Sequence, residues 1–282
     1  MWARSPISRM TALGAALAVS TVAVTITVDP TIGGGCDLTS PNSWRCHALK
    51  DALEQVHGLT PLPNGTPVVV AFSSVVSTAD GRGLTLKQPP NASSVALVGS
   101  GDAAIDGGGK SALLSTDCKN CTVRGVAFVN GYVNITHGKD MAPVLVQGHN
   151  TFFVGCRFAH NRGYDGGAVL SSHNLISFNS CTFSDNVAFH GGDGHAHVSV
   201  AAACSLVARS LLLLLLLLVL LVLTPSLLSL ASQDTGGGGA IWAYSSKIFL
   251  LNSVFKNNIA VDPPPNACPP TGKHACPLGT WE

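Results

Sequence analysis

The sequence predicts an all-β fold, a right-handed parallel β-helix (solenoid) with a short N-terminal capping helix. The main observation is a recurring pattern in which Gly-Gly-Ala-[Val/Ile] is followed by Phe-x-x-Asn. In two copies the Phe lies 15 positions after the Ala (168 to 183 and 240 to 255), which identifies a structural repeat. The repeat residues are Gly166, Gly167, Phe183 and Asn186 in one copy, Gly238, Gly239, Phe255 and Asn258 in another, and Phe158 with Asn161 in a third.

Alternation within the repeat predicts short strands, because like residues recur at every second position. Five positions before each Phe, counting from a degenerate copy at Phe128, stand Val123, Phe153, Phe178 and Leu250. Seven positions before stand Cys121, Thr151, Ile176 and Ile248, and three before stand the small residues Gly125, Gly155, Ser180 and Asn252. The first two sets predict inward-facing columns, and the small residues predict a corner. Coils of about 25 residues would then stack about 4.8 Å apart by parallel strand pairing.

The Asn that closes each Phe-x-x-Asn tolerates left-handed backbone and can hydrogen-bond to corner amides, so these residues are expected to form a ladder from coil to coil, with a structural role. Gly-Gly-Ala-[Ile/Val] followed by Phe-x-x-Asn resembles the repeat of chlamydial polymorphic outer membrane proteins, which also occurs in algal and other eukaryotic surface proteins. The resemblance covers roughly residues 90–260. It implies a pectin-lyase-like β-helix that is extracellular or at the cell surface, and an outer-membrane-like location if the chain is membrane-anchored.

The N-terminal part divides into two predicted regions. Residues 1–30 have the layout of a signal peptide or signal anchor, since Arg4 and Arg9 precede an uncharged stretch at 10–28. A buried N-terminal strand is the alternative. Residues 36–90 are expected to form an N-terminal cap and the first strands, with a helix whose apolar face carries Leu49, Ala52, Leu53 and Val56.

The predicted β-helix at 91–260 is interrupted by an insertion at 193–237, whose apolar leucine-rich segment spans 206–230. Hydropathy alone allows a transmembrane helix at 206–223. However, a single crossing would separate consecutive coils across a bilayer. A retained intron is therefore favoured: Val198-Ser199 can be encoded by GTGAGT, a splice donor, and Gln233 by CAG, an acceptor ending. Membrane association through 10–28 or 206–223 stays open.

Residues 261–282 are expected to form a proline-rich linker and the start of a cysteine-rich module. The nine cysteines of a secreted chain suggest disulfides, with Cys36–Cys46 and Cys268–Cys276 as candidates by proximity. Cys118 and Cys121 form a C-x-x-C that is weak evidence for zinc or redox chemistry, and Cys156 and Cys181 are expected to be stacked, buried thiols. Candidate glycosylation sites are Asn91, Asn120 and Asn134, with Asn64 as a weaker one.

Composition and motifs favour a non-enzymatic protein. Only 11% of the 282 residues are charged and the net charge is +1, which argues against nucleic acid as a partner. No catalytic, cofactor-binding or metal-binding residue is predicted. The expected partner is an extracellular glycan or a surface protein, contacted weakly at successive coils.

The alternative is a carbohydrate-active β-helix, a polysaccharide lyase or hydrolase. Such an enzyme needs clustered carboxylates with a basic residue, or two opposed carboxylates. Asp140, Asp165 and Asp185 are spaced so that two or three could approach one another. His190, His195 and His197 are a lesser candidate for a metal site.

Overall fold

A computed structural model describes residues 23–59, 62–81, 83–133, 142–189, 239–244 and 246–261. Over these residues the protein is mostly β, with sheets of twelve, six and three strands and one helix. Apart from one antiparallel hairpin, the strands pair in parallel. This arrangement is compatible with an all-β parallel solenoid.

The elements follow one another in a regular order. In chain order they are β1 (Val24–Val28), β2 (Cys36–Ser40), β3 (Ser43–Cys46), α1 (Leu49–Gly58), β4 (Thr66–Phe72), β5 (Val75–Ser77), β6 (Leu84–Lys87), β7 (Ala92–Gly99), β8 (Ala104–Asp106), β9 (Leu114–Arg124), β10 (Ala127–Val129), β11 (Val144–Val154), β12 (Arg157–Ala159), β13 (Arg162–Gly163), β14 (Val169–Ser172), β15 (Leu175–Asn179), β16 (Thr182–Ser184), β17 (Val187–Ala188), β18 (Ile241–Tyr244), β19 (Lys247–Leu251), β20 (Val254–Lys256) and β21 (Ile259–Ala260).

Each later coil visits the three sheets in turn. β11, β12 and β13 form one coil, β14 to β17 the next, and β18 to β21 the last that the structure describes. Parallel pairing already links β4 to β1 and β7, so the stack extends upstream of residue 91.

The predicted columns are confirmed by the strand register. Phe153 pairs with Val123 and Phe178, and Thr151 pairs with Cys121 and Ile176. The four Phe residues of the repeat, Phe128, Phe158, Phe183 and Phe255, also lie in one column. The predicted corner is confirmed as well, because Gly125, Gly155, Ser180 and Asn252 all have positive φ, between 50° and 65°.

The Gly-Gly of the repeat is explained by a close approach between sheets. A Cβ on Gly167 would lie 2.9 Å from the backbone N and C of Val187, and one on Gly239 would lie 2.8 Å from the same atoms of Ile259. Val187 and Ile259 are paired residues of the third sheet. The same close approach occurs in both coils, so the second Gly of the Gly-Gly pair has no room for a side chain.

Helix α1 has the predicted apolar face. It begins at Leu49 and ends at Gly58, and Leu49, Ala52, Leu53 and Val56 are all buried. The helix packs against β1, β3, β4 and β6.

The last part of the predicted signal segment at 1–30 forms strand β1. Val24, Ile26 and Val28 of β1 are buried, and β1 pairs with both β3 and β4. Cleavage after this strand would remove part of the core. The alternative interpretation of this stretch, a buried N-terminal strand, therefore holds for residues 24–28. Residues 1–22 lie outside the described residues, and a signal there stays a prediction.

The coils on either side of the insertion stack directly on each other. β14, β15, β16 and β17 pair in parallel with β18, β19, β20 and β21. The chain leaves one coil after Phe189, whose N–H donates to Gly163 O at 3.0 Å, and returns at Ala240, whose carbonyl accepts from Ala168 N at 2.8 Å. Both ends of the insertion therefore lie beside each other. A single membrane crossing between them would separate coils that are hydrogen-bonded together.

Within the described residues, no helix has the length and apolar character to cross a membrane. The leucine-rich segment and residues 261–282 beyond Val261 are not among them.

Deletion of residues 198–233 is expected to leave the fold intact, because all four strand pairs join residues outside the deletion. A shorter connection also lowers the entropic cost of closing the loop, by about 1 kcal/mol. Equilibrium urea unfolding of both chains should give an equal or slightly higher midpoint for the deleted chain. A urea midpoint that falls by more than about 1 M would show that the coils need residues 198–233 for their stability, contrary to this expectation.

Candidate functional site

The asparagine ladder at one corner is confirmed, and its geometry makes it structural. Asn186 Nδ2 donates to Asn258 Oδ1 at 2.7 Å, and Asn161 Nδ2 donates to Asn186 Oδ1 at 3.0 Å. Asn161 and Asn186 have no exposed surface. These side chains are therefore closed to an outside ligand.

Left-handed backbone lies one position before each ladder residue. Positive φ occurs at the residue before each ladder position, at Asn130, His160, Asp185 and Asn257, with values from 52° to 57°. A positive φ turns the chain sharply at that point. The ladder Asn is then left with its side chain inside the corner, while the preceding side chain is half-buried or exposed.

These corner residues form a polar column on the surface of the solenoid. Asn130 Nδ2 donates to Asp106 Oδ1 at 3.1 Å, and Asn257 Nδ2 donates to Asp185 Oδ1 at 3.0 Å. His160 lies between these two hydrogen-bonded pairs and is exposed. Neighbouring members of the column belong to successive coils, so their spacing is that of paired parallel strands, about 4.8 Å.

A second column runs beside the first. Tyr132 pairs with Arg162 in an isolated bridge, and Arg162 pairs with Val187. Together the two columns line an open groove of about 560 Å³ that extends across four coils. Its lining is Gly108, Gly109, Asn130, Gly131, Tyr132, His160, Arg162, Asp185 and Val187.

The groove offers hydrogen-bonding and stacking groups. Arg162 supplies a guanidinium, His160 an imidazole and Tyr132 an aromatic ring with a hydroxyl. Asp185 has one carboxylate oxygen bonded to Asn257, which leaves the other oxygen able to accept. Such a set can bind hydroxyl, amide or carboxylate groups of a ligand that lies along the solenoid axis.

The groove does not contain the carboxylate arrangement of a glycoside hydrolase. Asp185 is the single carboxylate among its lining residues. Asp165, which the spacing suggested as a neighbour, is buried and follows β13, whereas Asp185 precedes β17. The structure therefore places them at opposite ends of the third-sheet strands. Asp140, His190, His195 and His197 lie outside the described residues.

Within the described part of the chain, no group of three or more His, Cys, Asp or Glu side chains is placed to hold a metal ion.

The described residues contain two disulfides and two free cysteines. Cys36–Cys46 is a disulfide, as predicted, and it joins β2 to β3. Cys118–Cys121 is also a disulfide, which the sequence analysis did not assign. The C-x-x-C spacing was the available signal for it. Cys268 and Cys276 are not among the described residues.

Cys156 and Cys181 are free, buried thiols on adjacent coils, as predicted. The hydrogen bond with the Cys181 thiol, together with burial, raises the pKa of Cys156 far above that of an ordinary thiol. A thiol of this kind is inert as a nucleophile, which supports a packing role.

The candidate glycosylation sites differ in their surroundings. Asn91 is exposed in a turn with φ of 68°. Asn120 is exposed in β9, but its side chain donates to Ser93 O and accepts from Asn150 Nδ2 at 3.1 Å. Asn134 lies outside the described residues.

The groove residues were not predicted as a site, although the repeat contained a signal for them. The residue two positions after each repeat Phe is Asn130, His160, Asp185 or Asn257. This position varies between polar types, whereas the Phe two positions before it is the same in all four copies. Variable polar residues at a fixed corner of a repeat are typical of a surface that contacts ligands.

The chain matches no protein-family model, no curated protein and no solved structure. The likeness to polymorphic outer membrane protein repeats therefore stays a prediction made from the motifs.

Proposed function

We propose that this protein is a non-enzymatic, secreted or cell-surface β-helix that acts as an adhesive or structural surface. In this proposal the solenoid is right-handed, because parallel strands joined through a crossover favour that hand, and α1 caps its N-terminal end. The groove at the corner is its ligand-binding surface. The partner is an extracellular glycan, with a surface protein as the other candidate.

One observation carries this proposal: the groove is built by residues that recur at the same corner on successive coils. Each coil adds one residue from the turn and one from the third sheet, as Asn130 with Tyr132 and His160 with Arg162 show. A ligand with its own repeat can therefore meet a pair of side chains at the same place on each of these coils. Individually weak contacts then add up to useful avidity.

The chemistry of the groove suits a saccharide. An aromatic ring such as that of Tyr132 packs against the apolar face of a sugar ring, while Asn130, His160 and Asp185 can exchange hydrogen bonds with its hydroxyl groups. Arg162 can bind a carboxylate substituent in bidentate geometry. The shallow, open shape admits a chain from the side and does not require a free end.

Binding of immobilised extracellular oligosaccharides, both neutral and acidic, tests the proposal. Arg162→Ala and Tyr132→Ala are each expected to weaken binding at least about tenfold, the effect of losing one well-placed contact. Arg157→Ala is the matched control, since Arg157 is exposed on β12 of the same coil and does not line the groove. An equal loss of affinity in R162A and R157A would contradict the proposal that the groove binds a glycan. So would the absence of binding to any oligosaccharide. Binding that appears only with surface proteins would shift the proposal to the second partner.

A carbohydrate-active enzyme is the second candidate, and one observation favours it: Asp185, His160 and Arg162 share one groove. An acid or base from this set could act on a bound polysaccharide. Incubation with acidic and neutral polysaccharides, followed by detection of new reducing or unsaturated ends, separates the two functions. Turnover that Asp185→Asn abolishes would support the enzyme, whereas binding without turnover supports the adhesive surface.

A further inference from the structure

Three successive coils of the groove present different charges along the solenoid axis. Each of these coils contributes one residue of the turn column and one residue of the third-sheet column. In chain order the pairs are Asn130 with Tyr132, His160 with Arg162, and Asp185 with Val187. The lining is therefore neutral on the first of these coils, basic on the second and acidic on the third, in steps of one strand spacing, about 4.8 Å.

The basic coil offers its charge to a ligand. Arg162 lies on β13 and is exposed, and no carboxylate of the described residues forms an ion pair with its guanidinium. His160 is exposed on the same coil, two positions earlier. A guanidinium binds a carboxylate through two parallel hydrogen bonds, and an imidazole N–H can donate a third. Lys110 and Lys256, which adjoin groove or column residues in the sequence, do not line the groove.

The coils on both sides of Arg162 carry carboxylates, which oppose a second acidic group. Asp185 lines the groove on the following coil, and its Oδ1 accepts a hydrogen bond from Asn257 Nδ2 at 3.0 Å, which holds the carboxylate in place. On the preceding coil, Asn130 Nδ2 donates to Asp106 Oδ1 at 3.1 Å, so a negative charge is bonded to the neutral lining residue. Like charges at such short distances repel each other.

The length of a sugar matches the length of a coil. A sugar in an extended polysaccharide advances by a distance close to the spacing of paired strands, about 4.8 Å. A chain that lies along the solenoid axis therefore places successive sugars on successive coils. The charge pattern of the groove then selects the charge pattern of the polysaccharide.

We propose that the ligand of the groove is a polysaccharide in which acidic and neutral sugars alternate. This inference rests on the proposed role of the groove as a glycan site and adds the charge pattern of the glycan. The carboxylate of the acidic sugar binds Arg162 and His160. One neutral neighbour packs on Tyr132, and the other donates hydroxyl hydrogen bonds to Asp185. Asp185 also determines specificity, because it repels a chain with a charge on every sugar.

The test compares three oligosaccharides of equal length. In a hyaluronan oligosaccharide glucuronate and N-acetylglucosamine alternate, in oligomannuronate every sugar is acidic, and in a chito-oligosaccharide every sugar is neutral. Surface plasmon resonance with the full chain at low ionic strength, where charges are least screened, gives the three dissociation constants. We expect hyaluronan to bind about tenfold more tightly than the neutral chain and about fivefold more tightly than oligomannuronate.

Two variants separate the roles of the charges. Asp185→Asn keeps an oxygen that can accept from Asn257 and removes the charge, so the fivefold preference for hyaluronan over oligomannuronate should fall to about onefold. Arg162→Gln should instead remove the preference for hyaluronan over the neutral chain. Asp117→Asn is the matched control, since Asp117 is exposed on β9 and does not line the groove. Circular dichroism should show that all chains fold alike.

The outcomes distinguish this inference from the function on which it rests. A wild-type chain that binds oligomannuronate or the neutral chain as tightly as hyaluronan would overturn the charge pattern and leave the groove a glycan site. An equal change of preference in D185N and D117N would overturn it too. The absence of binding to all three oligosaccharides would overturn the glycan site itself, and the charge pattern with it.

Discussion

Replacement of Phe158 with alanine is expected to lower the free energy of unfolding by about 3–5 kcal/mol. Phe158 is fully buried, and its ring stacks between Phe128 at 5.0 Å and Phe183 at 4.6 Å between centroids. It also meets Phe153 and Phe178 edge to face. Alanine removes the central ring of this stack, and the coils cannot close the cavity because their spacing is fixed by backbone hydrogen bonds.

Equilibrium urea unfolding followed by circular dichroism measures this effect, and Phe152→Ala is its control. Phe152 is the neighbour of Phe153 in β11 but points outward and is 38% exposed. Its replacement should change the free energy of unfolding by no more than about 1 kcal/mol. If F158A lowered the free energy of unfolding as little as F152A does, the aromatic column would not be the core of the stack.

Replacement of Asn186 with alanine is expected to cost about 3–4 kcal/mol, because several buried polar groups lose their partners at once. Asn186 Nδ2 donates to Phe158 O at 3.0 Å and to Asn258 Oδ1 at 2.7 Å. Its Oδ1 accepts from the backbone N–H and the side chain of Asn161, at 3.1 and 3.0 Å. One side chain therefore links three coils, and water cannot replace it in a corner with no exposed surface.

Asn150→Ala is the matched control for the ladder. Asn150 also donates to the Asn of a neighbouring coil, Asn120, at 3.1 Å, but this pair is exposed to solvent. Water can satisfy the groups that the substitution frees, so a loss below about 1 kcal/mol is expected from the same unfolding measurement. A loss in N150A as large as that in N186A would mean that burial does not explain the importance of the ladder.

The core of the solenoid could be predicted from the sequence because its pattern is local. Alternation fixes which residues of a strand face inward, and a repeat fixes which residues of successive coils align. The columns through Phe153 and Phe158, the corner at Gly155 and the apolar face of α1 were all predicted in this way and are confirmed. Proximity in sequence was likewise sufficient for the Cys36–Cys46 disulfide.

The groove could not be predicted with the same certainty, because its residues are ordinary surface types. Tyr132, His160 and Asp185 come from three coils, and the repeat does not fix their residue types. The register of the third sheet and the left-handed turn bring them into one groove. The pairing of Asp165 with Asp185 failed for the same reason. A separation of 20 residues suggested that the two side chains stand at similar places on successive coils. In the structure Asp165 follows its third-sheet strand, whereas Asp185 precedes the strand of the next coil.

The sequence by itself determined the repeat, the inward-facing columns, the corner positions and the ladder asparagines, since each depends on neighbours along one coil and on exact recurrence. Tertiary structure alone decided that β1 belongs to the core, that coils on both sides of the insertion pair directly, and that the outer corner residues form one groove. These features depend on contacts between residues far apart in the chain. The repeat predicts that coils stack about 4.8 Å apart, but it does not specify which segments outside the repeat join the stack or which outer side chains meet across it.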